Sequence, residues 1–483
     1  MRNKIVTSLL ASSLLASAFL AVPAQVRAVG PVTHWVAASG TPIAGPGESC
    51  ARPGYVGATQ VPITNALNEV TAGDTVHICA GTYLYADHGY NDGIPDGITI
   101  EGAGAGSTIL DGVEETYFLS ISLAESVHHA TIKGITFQNG YDEVYAGAFD
   151  VEGGAFSIID CAFINNRADD YAGAIYSKES VLTVTNTSFT DNSSGTGGGG
   201  ALYIDDAPST STISNSTFNR NGSAWGGAIV AGRSDLEVTN STFSNNYTDL
   251  ESGTEAADYG GAGIYVYNST VGVTNSSFTN NETPATSAGA AIHLYQGSLS
   301  VDRSRFTGNR SGQAPAIYSY GDDSTGADEA GEFMTVTNST FVNNRNIAGG
   351  DSAAIGHERN GRDLTLTGNT FKKNTGAAYG GAVEAWLVGG DLTITNNRFI
   401  GNRAGEGGAM WIDVRNGTTN IRKNTFTSNR ARLGGAISFE CEAVSPRTIV
   451  RSLTRQNSFS GNVSARLFQS KYNTDGGYCS PPG

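Results

Sequence analysis

The sequence predicts an all-β chain wound as a right-handed parallel β-helix with a short N-terminal capping helix. Three observations predict it. The phrase Phe-x-x-Asn recurs eleven times, from Phe163–Asn166 to Phe459–Asn462, at intervals of 25 to 35 residues. A second phrase, Gly-Gly-Ala-aliphatic or a near variant, falls between successive copies, as in Gly226-Gly227-Ala228-Ile229 and Gly407-Gly408-Ala409-Met410. Apolar residues also stand seven and five positions before the Phe: Leu236 and Val238 before Phe243, Val271 and Val273 before Phe278, Leu392 and Ile394 before Phe399. Signals that keep step over so long a span mark stacked repeats rather than a globular domain.

The elements follow in order. Residues 1–28 read as an export signal: Arg2 and Lys4, an apolar run from Ile5 to Val22, then small residues with cleavage expected after Ala24 or Ala28. No second apolar stretch approaches the length of a membrane span, so the expected product is secreted or held at the cell surface, with no transmembrane segment after signal removal. Residues 29–72 form an N-terminal segment and cap, in which Ile63, Ala66, Leu67 and Val70 have helical spacing. The β-helix is expected over 73–470 and a C-terminal tail over 471–483. Of the 5 cysteines, Cys50 and Cys79 lie near one end and Cys441 and Cys479 near the other, so one disulfide is expected at each. Cys161 occupies the Ser/Thr slot of its repeat and is expected to be a buried, inert thiol.

Within a repeat, Leu236-Glu237-Val238-Thr239-Asn240-Ser241-Thr242-Phe243 alternates apolar and polar residues, the mark of a half-buried strand. The strand after the glycines is the second. Neither can bury its apolar face alone, and stacking copies about 4.8 Å apart buries both. A right-handed crossover follows from strand twist. The recurrent Phe should stack into an internal ladder, and the recurrent Asn into an amide ladder. A second Asn column, three residues before the Phe (Asn186, Asn215, Asn240, Asn275, Asn338, Asn396), reads as a further ladder; many of its members also begin Asn-x-Ser/Thr sequons.

Composition excludes one class of partner. The formal net charge is −16 and there is no basic stripe, which argues against nucleic acid.

The strand after Gly-Gly-Ala carries the candidate site. If its aliphatic residue points inward, the first and third residues beyond it point outward. The first outward column reads Tyr176, Tyr203, Val230, Tyr265, His293, Tyr318, Gly356, Glu384, Trp411, Ser438. The other reads Lys178, Asp205, Gly232, Tyr267, Tyr295, Tyr320, Glu358, Trp386, Asp413, Glu440. An exposed stripe of rings is therefore expected to run into carboxylates. Tyr265, Tyr267, His293, Tyr295, Tyr318, Tyr320, Trp386 and Trp411 are the candidate ligand-binding residues, since flat aromatic faces suit sugar rings. Glu358, Glu384 and Asp413 are the candidate catalytic acids, with Glu358 and Asp413 flanking Trp386 about 9.6 Å apart at the backbone. Glycoside hydrolysis needs two such carboxyls about 5 to 9.5 Å apart. No cofactor is expected. Two acidic insertions, Tyr247 to Tyr259 and Tyr320 to Glu332, lack a regular calcium-loop pattern, although calcium is compatible with their charge.

The paired Gly-Gly-Ala-Ile and Phe-x-x-Asn phrases (Gly226–Ile229 with Phe243–Asn246, Gly434–Ile437 with Phe459–Asn462) resemble the repeats of the polymorphic outer-membrane proteins of chlamydiae, over residues 147 to 462. The opening from Gly73-Asp74-Thr75 to Tyr83, with Gly102-Ala103-Gly104 to Asp111-Gly112, is similar to the start of pectin-lyase-like β-helix proteins. The first resemblance implies an adhesin and the second a polysaccharide enzyme. The C-terminal membrane barrel of the first family is not expected within these residues. Asn473-Thr474-Asp475 matches only a fragment of the polygalacturonase pattern. The expected function is a secreted or cell-surface binding protein, adhesin-like, that recognises an extended glycan or other surface polymer. The alternative is an extracellular polysaccharide-degrading hydrolase or lyase. Whether the chain is an enzyme is left open by its sequence.

Overall fold

The computed structural model describes residues 30–86, 89–91, 93–122, 129–249, 260–320, 332–349, 354–388, 390–415, 417–440, 453–464 and 478–480. The export signal, most of both acidic insertions, Cys441 and Asn473-Thr474-Asp475 lie outside them.

The chain winds as a right-handed parallel solenoid of about 12 turns. Three long parallel sheets, of 15, 14 and 13 strands, run along it, and a 5-stranded sheet fills part of one corner. A single coil shows the plan. Leu236–Thr239 joins the 15-stranded sheet, Thr242–Ser244 the 14-stranded sheet, Tyr247–Thr248 the short one and Ile264–Tyr267 the 13-stranded sheet. The repeat thus supplies three main strands, one more than its two obvious apolar runs. Register holds from coil to coil: Phe243 pairs with Phe218 on one side and Phe278 on the other.

The core follows from that register. Leu236, Val238, Phe243, Ile264 and Val266 all point inward and are fully buried. From Phe163 to Phe459 the rings stack at centroid spacings of 4.6 to 4.9 Å and within 11° of parallel. The expected Asn ladder is continuous from Asn166 to Asn462. Asn281 is typical: its side-chain amide donates to Asn309 Oδ1 at 3.0 Å and to the Phe243 carbonyl at 3.1 Å, and its backbone N–H donates to the same Asn309 Oδ1.

The second Asn column is an outer ladder in part: Asn275 donates to Asn240 Oδ1 at 2.6 Å, Asn338 to Asp302 at 3.0 Å, and Asn186 to Asp160. Asn186, Asn215, Asn240, Asn275, Asn338 and Asn396 are exposed and sit at left-handed φ of 49 to 58°. Asn tolerates that region better than other residues with a Cβ, so turn geometry selects it there. The internal polar ladder occupies the next slot instead. It runs through Thr187, Ser216, Ser241, Ser276, Ser304 and Ser339, then through Asn369, Asn397, Asn424 and Asn457.

The paired glycines have separate tasks. Gly407 and Gly434 take left-handed φ of 61° and 57°. A Cβ on Gly408 would lie 2.1 Å from the carbonyl oxygen of Gly435 in the next coil, so only glycine permits that approach.

At the N-terminal end the helix Gln60–Leu67 buries Pro62, Ile63, Ala66 and Leu67 over the first coil. The expected Cys50–Cys79 disulfide is present, and Cys161 is a buried free thiol whose pKa burial pushes up to about 11. A one-turn helix at 453–456 lies near the other end. Among the described residues no helix is long and apolar enough to cross a membrane.

Candidate functional site

The candidate columns lie on the outer face of the 13-stranded sheet, in the register that alternation predicts. Tyr176 pairs with Tyr203, Tyr265 with His293, His293 with Tyr318, Glu384 with Trp411 and Trp386 with Asp413. One pairing departs. The register shifts between His357 and Asn360, so Trp386 faces a bulge rather than a regular partner at Glu358.

The expected exposure of the first column is corrected. Tyr265, His293, Tyr318, Glu384 and Trp411 are all buried, His293 completely. Segments preceding the sheet fold back over them. Tyr171 packs on Tyr176 and Tyr203 at centroid distances of 5.3 and 5.6 Å. Trp225 covers Tyr203 and Tyr265, and Tyr379 lies 5.0 Å from Trp411. Ala146, Ala172, Tyr176, Tyr203, Val230 and Tyr265 form a second apolar cluster outside the main core. Pooling their apolar area on the sheet's outer face is the driving force for this cover.

In the second column the rings are partly accessible. Tyr267, Tyr295, Tyr320 and Trp386 are half-buried. Tyr267 and Tyr295 stack at 5.8 Å and 26°, and Tyr320 stacks on Tyr318 at 6.3 Å and 18°. Buried Arg362 fixes this stretch: its guanidinium donates to the Tyr320 carbonyl at 3.1 Å and the Tyr295 carbonyl at 3.3 Å, and pairs with Glu332. These contacts tie the backbones of two track residues, one coil and two coils away, to the turn that carries Arg362.

All three candidate acids are buried: Glu358 is 7% exposed, and Glu384 and Asp413 are 2% exposed each. The Tyr318 hydroxyl donates to Glu358 Oε2 at 3.2 Å. Burial first, then the charges of Glu358 and Glu384, push the Tyr318 phenol well above its ordinary pKa. The phenol therefore stays a proton donor at neutral pH. The fold thus brings Glu358 and Glu384 to one phenol and sets Asp413 beside Trp386.

Two histidines are held neutral by burial, His293 and His357, each with its pKa pushed down to about 3. His293 sits edge-on between Tyr265 and Tyr318, and neither ring nitrogen meets a hydrogen-bond partner among the described residues.

Sequence reasoning missed one residue. Asp150 occupies the first column one coil before Tyr176, with which it pairs. Burial, then the charges of Asp142 and Glu152, push its pKa up to about 6. Gly147-Ala148-Phe149 was the available signal, a shortened form of the glycine phrase.

Residues 119–325 and 290–474 match the family described as the right handed beta helix region. The chain belongs to that family. No curated protein matches this β-helix protein. Among solved structures it is similar to the catalytic unit of a thermostable GH87 α-1,3-glucanase from Streptomyces thermodiastaticus strain HF3-3 (13% identity, 87% of this chain, TM-score 0.46). The chain spans 65% of that unit's length. It is also similar to the mannuronan C-5 epimerase AlgE6 A-module of Azotobacter vinelandii (13% identity, 88% of this chain and 96% of that one, TM-score 0.34). A third is PfbA, a surface adhesin of Streptococcus pneumoniae (12% identity, 78% of this chain and 89% of that one, TM-score 0.37). At these identities the likeness is one of winding, and the residues of the outer face must speak for themselves.

Proposed function

We propose that this β-helix protein is an exported, adhesin-like glycan-binding protein. Its track is the half-exposed column Tyr267, Tyr295, Tyr320 and Trp386. The observation that carries the reading is the Tyr267–Tyr295 stack, whose neighbouring backbone is pinned by Arg362. Rings held rigid before binding lose little entropy when a sugar face covers them. Parallel coils repeat such platforms along one line, which suits an extended polymer. Sign favours a neutral glycan: acids dominate the face, and Lys178 is engaged by Glu152 at 3.0 Å. The resemblance of the repeat phrases to those of the chlamydial polymorphic outer-membrane proteins, and the export signal expected over residues 1–28, support a role outside the cytoplasm.

A second reading is favoured by one observation, the burial of Glu358, Glu384 and Asp413 together on the outer face of the sheet. Buried carboxylates cost folding free energy, and such sites concentrate where chemistry is done. In this reading the track delivers a glycosidic bond to those acids for hydrolysis.

One screen separates the two. Neutral plant, fungal and bacterial polysaccharides are offered to the protein, and both retention and new reducing ends are measured. Binding without product supports the first reading. Product that disappears in Glu384→Gln and Asp413→Asn, with binding retained, supports the second. Absence of binding across the panel overturns both.

A further inference from the structure

The N-terminal cap carries a cluster that the glycan reading does not use. The Sγ atoms of Cys50 and Cys79 and a ring nitrogen of His77 lie within 4.8 Å of one another. Each arrives for a local reason. His77 is an outward residue of the strand Thr75–Ile78, and Cys79 follows directly. Cys50 sits in the turn between the short antiparallel strands Gly47–Ser49 and Arg52–Pro53.

We infer that Cys50, His77 and Cys79 form a latent site for a soft divalent cation such as zinc, opened when their disulfide is reduced. Two thiolates and an imidazole are a donor set that zinc takes readily, with water in the fourth position. The imidazole is already oriented. His77 Nδ1 hydrogen-bonds Glu101 Oε1 at 2.8 Å, and Lys133 holds the other oxygen of that carboxylate at 2.6 Å. The Trp35 ring packs 4.4 Å from the imidazole. With Nδ1 engaged, Nε2 is the atom left for a metal. A carboxylate behind a histidine in this way fixes its tautomer and strengthens it as a ligand.

The chemistry balances with a dithiol as reductant. The reductant gives two electrons and two protons, the Cys50–Cys79 bond breaks, and the dithiol becomes a disulfide. The cation then displaces one proton from each thiol as two metal–sulfur bonds form. Disulfide and bound metal use the same sulfurs, so each state excludes the other. The cap would hold its loop by one crosslink outside the cell and by another under reducing conditions.

The test uses the full-length exported protein. After dithiothreitol treatment and anaerobic removal of the reductant, it is titrated with cobalt(II), then with zinc(II). The expected result is one equivalent of cobalt with a thiolate-to-metal charge-transfer band, bleached by zinc and absent from the oxidised protein. Cys50→Ser should abolish the band, and His77→Ala should weaken binding at least tenfold. Glu101→Gln should weaken it by roughly 10- to 100-fold, as the loss of such a supporting group does. Alkylation mapping supplies a readout independent of folding in the variants: zinc should shield Cys50 and Cys79 of the reduced wild type from iodoacetamide. The inference is overturned by a reduced wild type without the band, by equal affinity in Cys50→Ser or His77→Ala, or by zinc that leaves both cysteines alkylated.

Discussion

Tyr318 donates its hydroxyl hydrogen to Glu358 Oε2 across 3.2 Å, on a sheet face that alternation alone would leave open to water. Both residues are buried, because the segments before the glycine phrase fold back over this face. A hydrogen bond to a buried carboxylate is worth about 1.5–3 kcal/mol. Tyr318→Phe should lower local stability by that amount while keeping the ring stacked on Tyr320. Amide exchange in the strands Ile317–Tyr320 and Ile355–Asn360 should quicken, with distant coils unchanged.

The Asn ladder should be the costliest single polar feature to break. Asn281→Ala removes an amide that serves Asn246, Phe243 and Asn309 together. It strands buried groups on two neighbouring coils, each costing about 1–3 kcal/mol. Urea denaturation should show a loss of several kcal/mol. Asn240→Ala, in the exposed turn column, should cost about 1–2 kcal/mol, through its left-handed backbone and the lost acceptor for the Asn275 amide.

Acid should weaken the fold through two buried histidines. His293 and His357 have folded pKa values near 3, below the ordinary 6.5, so the unfolded chain binds more protons below about pH 6.5. The stability these two contribute is full above that pH and is lost as pH falls toward 3. Asp150 acts in the opposite sense: its pKa of about 6 makes stability rise as pH falls from 6 toward 3.8. His293→Phe leaves the Asp150 contribution in place. Thermal midpoints of this variant should therefore fall less than the wild type's between pH 6.5 and 4.5.

The Cys50–Cys79 bond closes a separation of 29 residues. A loop of that size is worth about 3–4 kcal/mol of unfolded-state entropy. The Cys50→Ala, Cys79→Ala double variant should lose that much from the cap. Proteolysis between 50 and 79 should precede cleavage of the coils.

How much of this was written in the chain depends on periodicity. Phe243, Leu236 and Val238 declare their faces because every coil repeats them, and stacking makes an error in one coil an error in all. Tyr267, Tyr295 and Trp386 were legible for the same reason. Tyr171, Trp225 and Tyr379 were not: each stands four residues before the inward aliphatic of its coil, but the same slot holds Gly198, Ala288 and Glu406 in other coils, and nothing local says which face a ring there will cover. The bulge after His357 was equally hidden: it changes the register of Glu358 without disturbing the inward residue Ile355. Asn186 and its equivalents combine two roles that both select Asn, a left-handed turn and an outer coil-to-coil bond, and the sequence pattern does not separate them.

The central claim is a glycan track along Tyr267, Tyr295, Tyr320 and Trp386. It is tested most directly by the dissociation constant for a polysaccharide retained in the panel, measured by calorimetry on the wild type and on Tyr295→Ala and Trp386→Ala. Each substitution should weaken binding by about tenfold or more, the scale of one well-placed aromatic side chain, with the fold's circular dichroism unchanged. Wild-type affinity in both folded variants would contradict it.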